Sequence, residues 1–135
     1  MGQQQLLLLV IGVVLVGISV LAAFEILDRT YRQDEADGLL DRGLAIATHA
    51  VYWKAKMDPY NGGNQSYEGL ANDGLRTLLL DTTNVRGRFA ITGATDATVE
   101  ITGVSERYPG IGVRVYVRSY DVDSSDVSFS GEYTL

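Results

Sequence analysis

The sequence predicts an α+β protein in which one long N-terminal helix packs on a small antiparallel sheet of about four strands. Three observations predict this fold: a long apolar run, a helical spacing of apolar residues behind it, and an alternating pattern towards the C-terminus. We expect an apolar stalk over residues 1–24 and a globular head over residues 25–135. The head divides into an amphipathic half-helix (25–57), a loop (58–74) and a sheet region (75–135).

The apolar run extends from Leu6 to Phe24, contains no charged residue and is interrupted only by Gly12, Gly17 and Ser19. As a helix it covers roughly 28 Å, close to the ~30 Å hydrocarbon thickness of a bilayer. A cleaved secretory signal has basic residues before a shorter apolar stretch, whereas the first basic residue here is Arg29. We therefore expect the segment to be retained. A simple membrane anchor is an alternative, although no basic side chain precedes the run to orient it.

The helical pattern continues behind the apolar run without a proline as far as Met57. Asp58-Pro59 and the glycine- and asparagine-rich residues 61–64 then stop it. We predict one helix from Leu6 to about Met57, on the order of 75 Å long. Its apolar stripe should cover the sheet, and it comprises Ile26, Leu27, Tyr31, Leu39, Leu40, Leu44, Ala47, Val51 and Trp53. Within this stripe, we expect Tyr31, Leu40, Leu44, Val51 and Trp53 to join stalk to head. The complementary polar surface should carry Asp34, Glu35, Asp37, Asp41 and Arg42.

The second half of the chain alternates between apolar and polar residues, which predicts half-buried antiparallel strands. The apolar partners on one face are Phe89 with Ile91, Val99 with Ile101, Val113 with Val115 and Val117, and Val127 with Phe129. Turns are expected at 93–96, 109–112 and 123–126. Leu75–Leu80 is either a further strand or a helical turn, because a short apolar run does not distinguish the two.

Composition argues against several classes of function. The formal net charge is −6, which opposes unguided binding to nucleic acid, so no nucleic-acid partner is expected. Cysteine is absent, which excludes disulfides and thiolate metal sites within the chain. His49 is the only histidine and has no evident nucleophile or metal set beside it. We therefore expect neither an enzyme nor a cofactor.

Three weaker signals remain. Asp121, Asp123 and Asp126 could hold Ca²⁺, but the glycine and distal glutamate of a calcium loop are missing, so a solvated acidic turn is favoured. Asn64 begins an N-glycosylation sequon in the predicted loop. A basic strip near the sheet should serve ion pairing within or between subunits rather than DNA capture; it comprises Arg76, Arg86, Arg88, Arg107, Arg114 and Arg118.

The order of these segments resembles that of type IV pilins and pilin-like proteins. The resemblance rests on Gly2, the short polar step Gln3–Gln5, the apolar run, its amphipathic continuation, the Gly/Asn-rich loop and the small sheet. It implies a precursor in the cytoplasmic membrane, a possible processing site between Gly2 and Gln3, and extrusion by a pilus assembly machinery. The chain departs from the family in lacking a charged leader and an early glutamate in the apolar run.

The resulting hypothesis is a structural subunit of an extracellular, homopolymeric type IV pilus-like filament on the cell surface. The alternative is a single-pass membrane-anchored envelope protein, or a minor pseudopilin of a secretion system, with a partner-binding head. The residues expected to form the assembly core are Gln3, Gln4, Gln5, Leu6, Leu9, Gly12, Val13, Val14, Val16, Gly17, Val20, Leu21 and Phe24.

Overall fold

The computed structural model describes residues 2–135 and divides the chain into two compact units, Met1–Gln33 and Asp34–Leu135. Helix α1, Gly2–Ala55, begins in the first unit and ends in the second. This single element confirms the predicted long helix. It ends two residues before the predicted Met57, ahead of the Asp58-Pro59 step.

The second unit contains a small antiparallel sheet. After α1 come a 3₁₀ turn (Glu68–Leu70) and helix α2 (Gly74–Thr77). The strands are β1 (Gly87–Ala94), β2 (Thr98–Ser105), β3 (Gly112–Arg118) and β4 (Asp121–Ser128). They pair in the order β1-β2-β3-β4, each antiparallel to its neighbour. The predicted α+β class with four strands is confirmed, and α2 makes the first part of Leu75–Leu80 a helical turn rather than a strand.

The predicted turn at 123–126 is wrong, because these residues lie within β4. The chain instead reverses at Ser119 and Tyr120, where Ser119 has a φ of 57° and donates its N–H to the Ala97 carbonyl at 2.7 Å. Strand β4 is an exposed edge strand, and its aspartates and serines resemble a loop in sequence. Charge on an edge strand discourages pairing with further chains. The irregular register at Tyr116/Val117 also breaks the alternation.

The hydrophobic core lies between one face of the sheet and the part of α1 that belongs to the second unit. The sheet contributes Phe89, Val99, Ile101, Val113, Val115 and Val117. The helix contributes mainly small residues, with Leu39 and Ile46 as its large side chains. A Cβ on Gly43 would lie 3.1 Å from Val115 Cγ2, so the glycine lets helix and sheet approach closely.

The buried stripe of α1 shares Leu39 and Ala47 with the predicted one but is otherwise formed by different residues. Its residues are Glu35, Ala36, Leu39, Gly43, Ile46, Ala47, Ala50 and Lys54. Leu40, Leu44, Val51 and Trp53 are partly buried against this core and flank the stripe. Glu35, expected on the polar surface, is only 3% exposed. The stripe is centred on small residues because the helix lies close to the sheet there.

The loop after α1 folds back over the end of the helix. Gly63 and Gln65 donate their N–H groups to the carbonyls of Trp53 and Lys54, both at 2.8 Å, and Asn64 donates to the Lys56 carbonyl at 3.2 Å. These bonds satisfy acceptors that a helix C-terminus otherwise leaves unpaired. The loop is therefore fixed against the last turn of α1.

Candidate functional site

The candidate assembly surface is the apolar run of the first unit. Its large side chains between Leu6 and Phe24 are 46–70% exposed, on every side of the helix. The only hydroxyl group in the run belongs to Ser19, which donates to the Leu15 carbonyl at 2.8 Å. Residues 3–5 are also exposed. Apart from these three glutamines at one end, the surface therefore offers a partner only apolar contact.

Two glycines interrupt this surface. A Cβ at Gly12 or at Gly17 would have no atom within 4 Å outside the local helix. Neither glycine is therefore required by packing in the part of the chain that the structure describes. Small residues on a lipid-exposed helix allow the backbone of another helix to approach.

Charged residues begin directly behind the apolar run and pair along the helix. Arg29 contacts Glu25 at 2.7 Å and Arg32 contacts Asp28 at 3.2 Å, each pair spaced four residues apart with the acid first. This is the favourable orientation for such pairs. Of the described helices, α1 alone is long and apolar enough to cross a bilayer, and these pairs lie where its apolar segment ends.

The residues expected to join stalk to head have different environments. Leu40, Leu44, Val51 and Trp53 pack against the core of the second unit. Tyr31 belongs to the first unit, and its side chain is 55% exposed. The structure therefore brings four of the five together around one core and leaves Tyr31 at the surface.

A buried acidic group that sequence reasoning missed fastens α1 to the sheet. Glu35 accepts a hydrogen bond from Ser105 Oγ at 2.8 Å and lies 3.6 Å from the Arg86 guanidinium. Arg86 also donates to the Asp34 carbonyl at 3.3 Å. The guanidinium occupies the place of a side chain at Gly38, where a Cβ would lie 2.4 Å from it. The sequence offered one indication of this contact, which is that Gly38 follows the acidic Glu35 by three residues on the helix. That spacing does not identify Arg86 as the partner.

A buried lysine near the end of α1 was also missed. Lys54 is 5% exposed, and its Nζ lies 4.6 Å from the ring centre of Tyr67 and 4.7 Å from that of Tyr120. Both Lys54 Nζ and the Tyr67 hydroxyl donate to the Ser119 carbonyl. Burial, with a smaller contribution from Tyr120, raises the pKa of Tyr67 to about 12. This cluster fixes the β3–β4 turn against α1.

Four arginines of the predicted basic strip are engaged within the chain. Besides Arg86, Arg88 pairs with Glu106 at 3.3 Å and Arg114 with Glu100 at 3.2 Å, and Arg118 lies 4.0 Å from Asp123. Arg114 also stacks on Tyr133, 4.4 Å from its ring centre. The strip is thus largely neutralised where these four side chains lie.

The remaining predicted sites lie at the surface. Gly2 and Gln3 are exposed at the start of the described helix. Asn64 is exposed in the loop after α1, with a φ of 50°. Asp121, Asp123 and Asp126 are spread along β4, and Asp126 accepts a hydrogen bond from the Tyr133 hydroxyl. Within residues 2–135, no group of three or more metal-ligating side chains is arranged to hold an ion.

No family model, curated protein or solved structure matches this chain. Its function must therefore be argued from the exposed apolar helix and from the surface of the second unit.

Proposed function

We propose that this chain is a structural subunit of a type IV pilus-like filament and polymerises through its apolar N-terminal helix. The observation that carries the proposal is the exposure of every large side chain from Leu6 to Phe24 on the helix that continues into the core of the second unit. The order of apolar run, amphipathic helix and small antiparallel sheet supports it. The chain would then reside in the cytoplasmic membrane before assembly and at the cell surface afterwards, where the filament would serve adhesion.

The energetics favour association once the helix leaves the bilayer. Burying about 1,500 Å² of apolar surface per subunit at ~25 cal/mol/Å² contributes tens of kcal/mol before ordering costs are subtracted. In lipid, burying the same surface between helices contributes little free energy, because acyl chains solvate it equally well. Assembly would therefore be driven by extraction, and the extracted polymer would dissociate very slowly.

A membrane anchor is the second candidate, and the paired charges behind the run favour it specifically. Glu25–Arg29 and Asp28–Arg32 place four ionised groups where an apolar helix would leave the hydrocarbon layer. A single-pass protein of this kind, including a minor pseudopilin, would use the second unit to bind a partner. It would remain a monomer or small oligomer in detergent.

The two candidates are separated by electron microscopy of material sheared from the surface of producing cells, combined with the intact mass of the chain. The filament proposal expects polymers containing this chain, and a membrane anchor expects none. The intact mass reports whether the chain is cut between Gly2 and Gln3.

Charge placed in the apolar run tests the proposed contact surface. Val14→Asp and Gly17→Asp should each abolish filaments, because a carboxylate would be buried among apolar helices without a partner. Thr48→Asp adds the same charge to an exposed position of α1 in the second unit and should leave filaments intact. Membrane fractions must contain equal amounts of all three variants. Normal filament yield from Val14→Asp would contradict the proposal.

A further inference from the structure

A surface groove of about 520 Å³ lies where the end of α1, the following loop and α2 meet. Its volume is within the range of small-ligand sites. Three aromatic residues line it, Tyr52, Trp53 and Tyr60, together with four polar residues, His49, Lys56, Asn61 and Thr77. All belong to the second unit, so the groove does not depend on the apolar run.

The aromatic side chains are presented to solvent by a fixed backbone. Tyr52 is 71% exposed and Tyr60 is 93% exposed. The Trp53 ring lies against the glycines of the loop, since a Cβ at Gly63 or Gly69 would come within 2.7 Å or 2.6 Å of it. One side of the indole is therefore held by the loop, while the ring still borders the groove. Large aromatic side chains that are exposed to solvent and do not belong to the hydrophobic core indicate a binding surface.

Leu79 adds a strained apolar group to the same groove. It follows α2 in the left-handed conformation, with a φ of 60°, and its side chain is 92% exposed. Leu79 N–H bonds the Arg76 carbonyl and Leu80 N–H bonds the Leu75 carbonyl, which is the helix-ending arrangement that normally has glycine at this place. Strained positions of this kind concentrate at ligand sites.

Three polar side chains of the groove are available to a ligand. Within the described residues 2–135, the side chains of His49, Lys56 and Asn61 make no hydrogen bond or ion pair with the rest of the chain. The Asp58 carboxylate, two residues from Lys56, accepts a hydrogen bond from Tyr60 N–H at 2.9 Å. This hydrogen bond is the main factor that lowers the pKa of Asp58, and the nearby charge of Lys56 lowers it further. Lys56 makes no direct ion pair with Asp58 within the described residues, so the groove carries one ammonium group that a ligand can contact, on a chain of net charge −6.

We propose that this groove binds an acidic saccharide, in which a sugar ring stacks on the tyrosines and its carboxylate pairs with Lys56. A sugar ring has an apolar C–H face suited to the negative face of an aromatic ring. Its hydroxyl groups match His49 and Asn61, which can both donate and accept. Charge complementarity with Lys56 selects a carboxylate-bearing sugar over a neutral one.

Other occupants fit less well. A second copy of the chain would cover Lys56, His49 and Asn61, and burial without partners is costly for such groups. A single-stranded nucleic acid also stacks on aromatic rings, but it requires a basic groove that follows its backbone. One lysine on an acidic protein does not provide this. The site is independent of filament formation and goes beyond the proposed structural role.

The test uses the full chain in a detergent that lacks a sugar headgroup. Trp53 is the only tryptophan, so its fluorescence reports on the groove alone. Titration with an oligosaccharide of uronic acids should give a saturable change with a Kd on the order of 1 mM or lower. The corresponding neutral oligosaccharide should bind about tenfold more weakly, which is the effect of losing one charge-assisted contact.

Matched variants make the proposal specific. Tyr60→Ala should weaken binding about tenfold, whereas Tyr31→Ala, an exposed tyrosine of the first unit, should have no effect. Lys56→Gln should remove the preference for the acidic sugar, and Arg118→Gln should retain it. Tyr60 is almost wholly exposed, so its removal should not disturb the fold, which circular dichroism checks.

Four outcomes would overturn the proposal. The first is the absence of a saturable Trp53 response to the acidic oligosaccharide up to about 10 mM. The second is equal weakening by Tyr60→Ala and Tyr31→Ala. The third is a response to oligothymidylate as strong as that to the acidic saccharide. The fourth is loss of self-association in Tyr60→Ala without any saccharide binding. The first three outcomes do not depend on whether wild-type filaments form.

Discussion

At the scale of single residues, Leu79 stores strain that a substitution can release. A leucine in the left-handed conformation brings Cβ close to its own backbone, which costs roughly 1–2 kcal/mol. Glycine avoids this strain, but its greater freedom in the unfolded chain cancels part of the gain in stability. We expect Leu79→Gly to raise the free energy of unfolding by about 1 kcal/mol. Chemical denaturation followed by Trp53 fluorescence measures this.

The neighbouring Leu78 provides the control for this prediction. Leu78 has a right-handed backbone conformation and packs partly against the core, so Leu78→Gly should destabilise the protein. Equal destabilisation by the two variants would show that Leu79 is not strained. In that case its exposure would be the only unusual feature left.

Tyr67 makes stability depend on alkaline pH. Its pKa is raised from 10.0 to about 12, first by burial. The unfolded chain therefore loses the phenolic proton about two pH units earlier than the folded one, so the free energy of unfolding is fully retained below pH 10 and falls between pH 10 and 12. Denaturation curves across this window should show the decline.

Tyr67→Phe separates this effect from other alkaline titrations. The variant should lose part of the decline, although it also loses the hydrogen bond to the Ser119 carbonyl and so starts from a lower stability. Tyr133, whose pKa is raised to about 12 chiefly by its hydrogen bond to Asp126, contributes in the same direction. An identical slope in the wild type and in Tyr67→Phe would contradict the assignment to Tyr67.

The same residues explain what the sequence could not reveal at this scale. Glu35 and Lys54 are residue types that usually lie on the exposed surface of a helix. The fold brings Arg86 and Ser105 to Glu35, and two tyrosine rings to Lys54, and these partners allow both charges to be buried. Buried charges need partners, and partners distant in the chain leave no local pattern. The predicted polar surface was therefore wrong at Glu35.

At the scale of elements, the contact between α1 and the sheet depends on the absence of a side chain at Gly43. A Cβ there would lie 3.1 Å from Val115 Cγ2, a contact that is already tight, so Val115 must shift to admit the two further methyl groups of a valine. We expect Gly43→Val to lower the free energy of unfolding by about 1–3 kcal/mol through overpacking, despite the helix propensity that it gains over glycine.

Ala45→Val is the matched control, since it places a β-branched residue on the exposed side of the same helix. It should cost only a few tenths of a kcal/mol. The comparison is made by thermal unfolding of the full-length chain in detergent. Equal stability of the two variants would mean that helix and sheet do not approach as closely as this contact implies.

The sequence predicted an element better where apolar residues mark the buried face than where small residues mark a close contact between helix and sheet. The sheet face was predicted well in β3, because Val113, Val115 and Val117 alternate and are all buried. The prediction was wrong for Phe129, which lies beyond the end of β4 and is 47% exposed. The helix stripe was placed mainly on bulky residues, with Ala47 as its one small member, whereas glycine and alanine form the centre of the buried stripe. An analysis of hydrophobic periodicity is dominated by large apolar side chains, whereas a helix packed closely on a sheet needs small residues at the contact.

At the scale of the whole molecule, the chain separates into a part that makes a core and a part that does not. Every residue of the described hydrophobic core lies at or after Ala36. The sequence prediction placed a division after Phe24, because a run apolar on all sides cannot belong to a small water-soluble core. The place of the boundary, between Gln33 and Asp34, has no compositional signal.

This division predicts that residues 34–135 fold without the preceding helix. The fragment keeps the whole core and the Glu35–Arg86 contact, and its helix would begin with Asp34, Glu35 and Asp37, acids that suit a helix N-terminus. We expect a monomer in detergent-free buffer with a cooperative thermal transition, measured by analytical ultracentrifugation and circular dichroism. The full chain should form large assemblies under the same conditions, because its apolar run then faces water. An unfolded fragment would mean that the core needs residues 1–33, and a dispersed full chain would remove the driving force on which the filament depends.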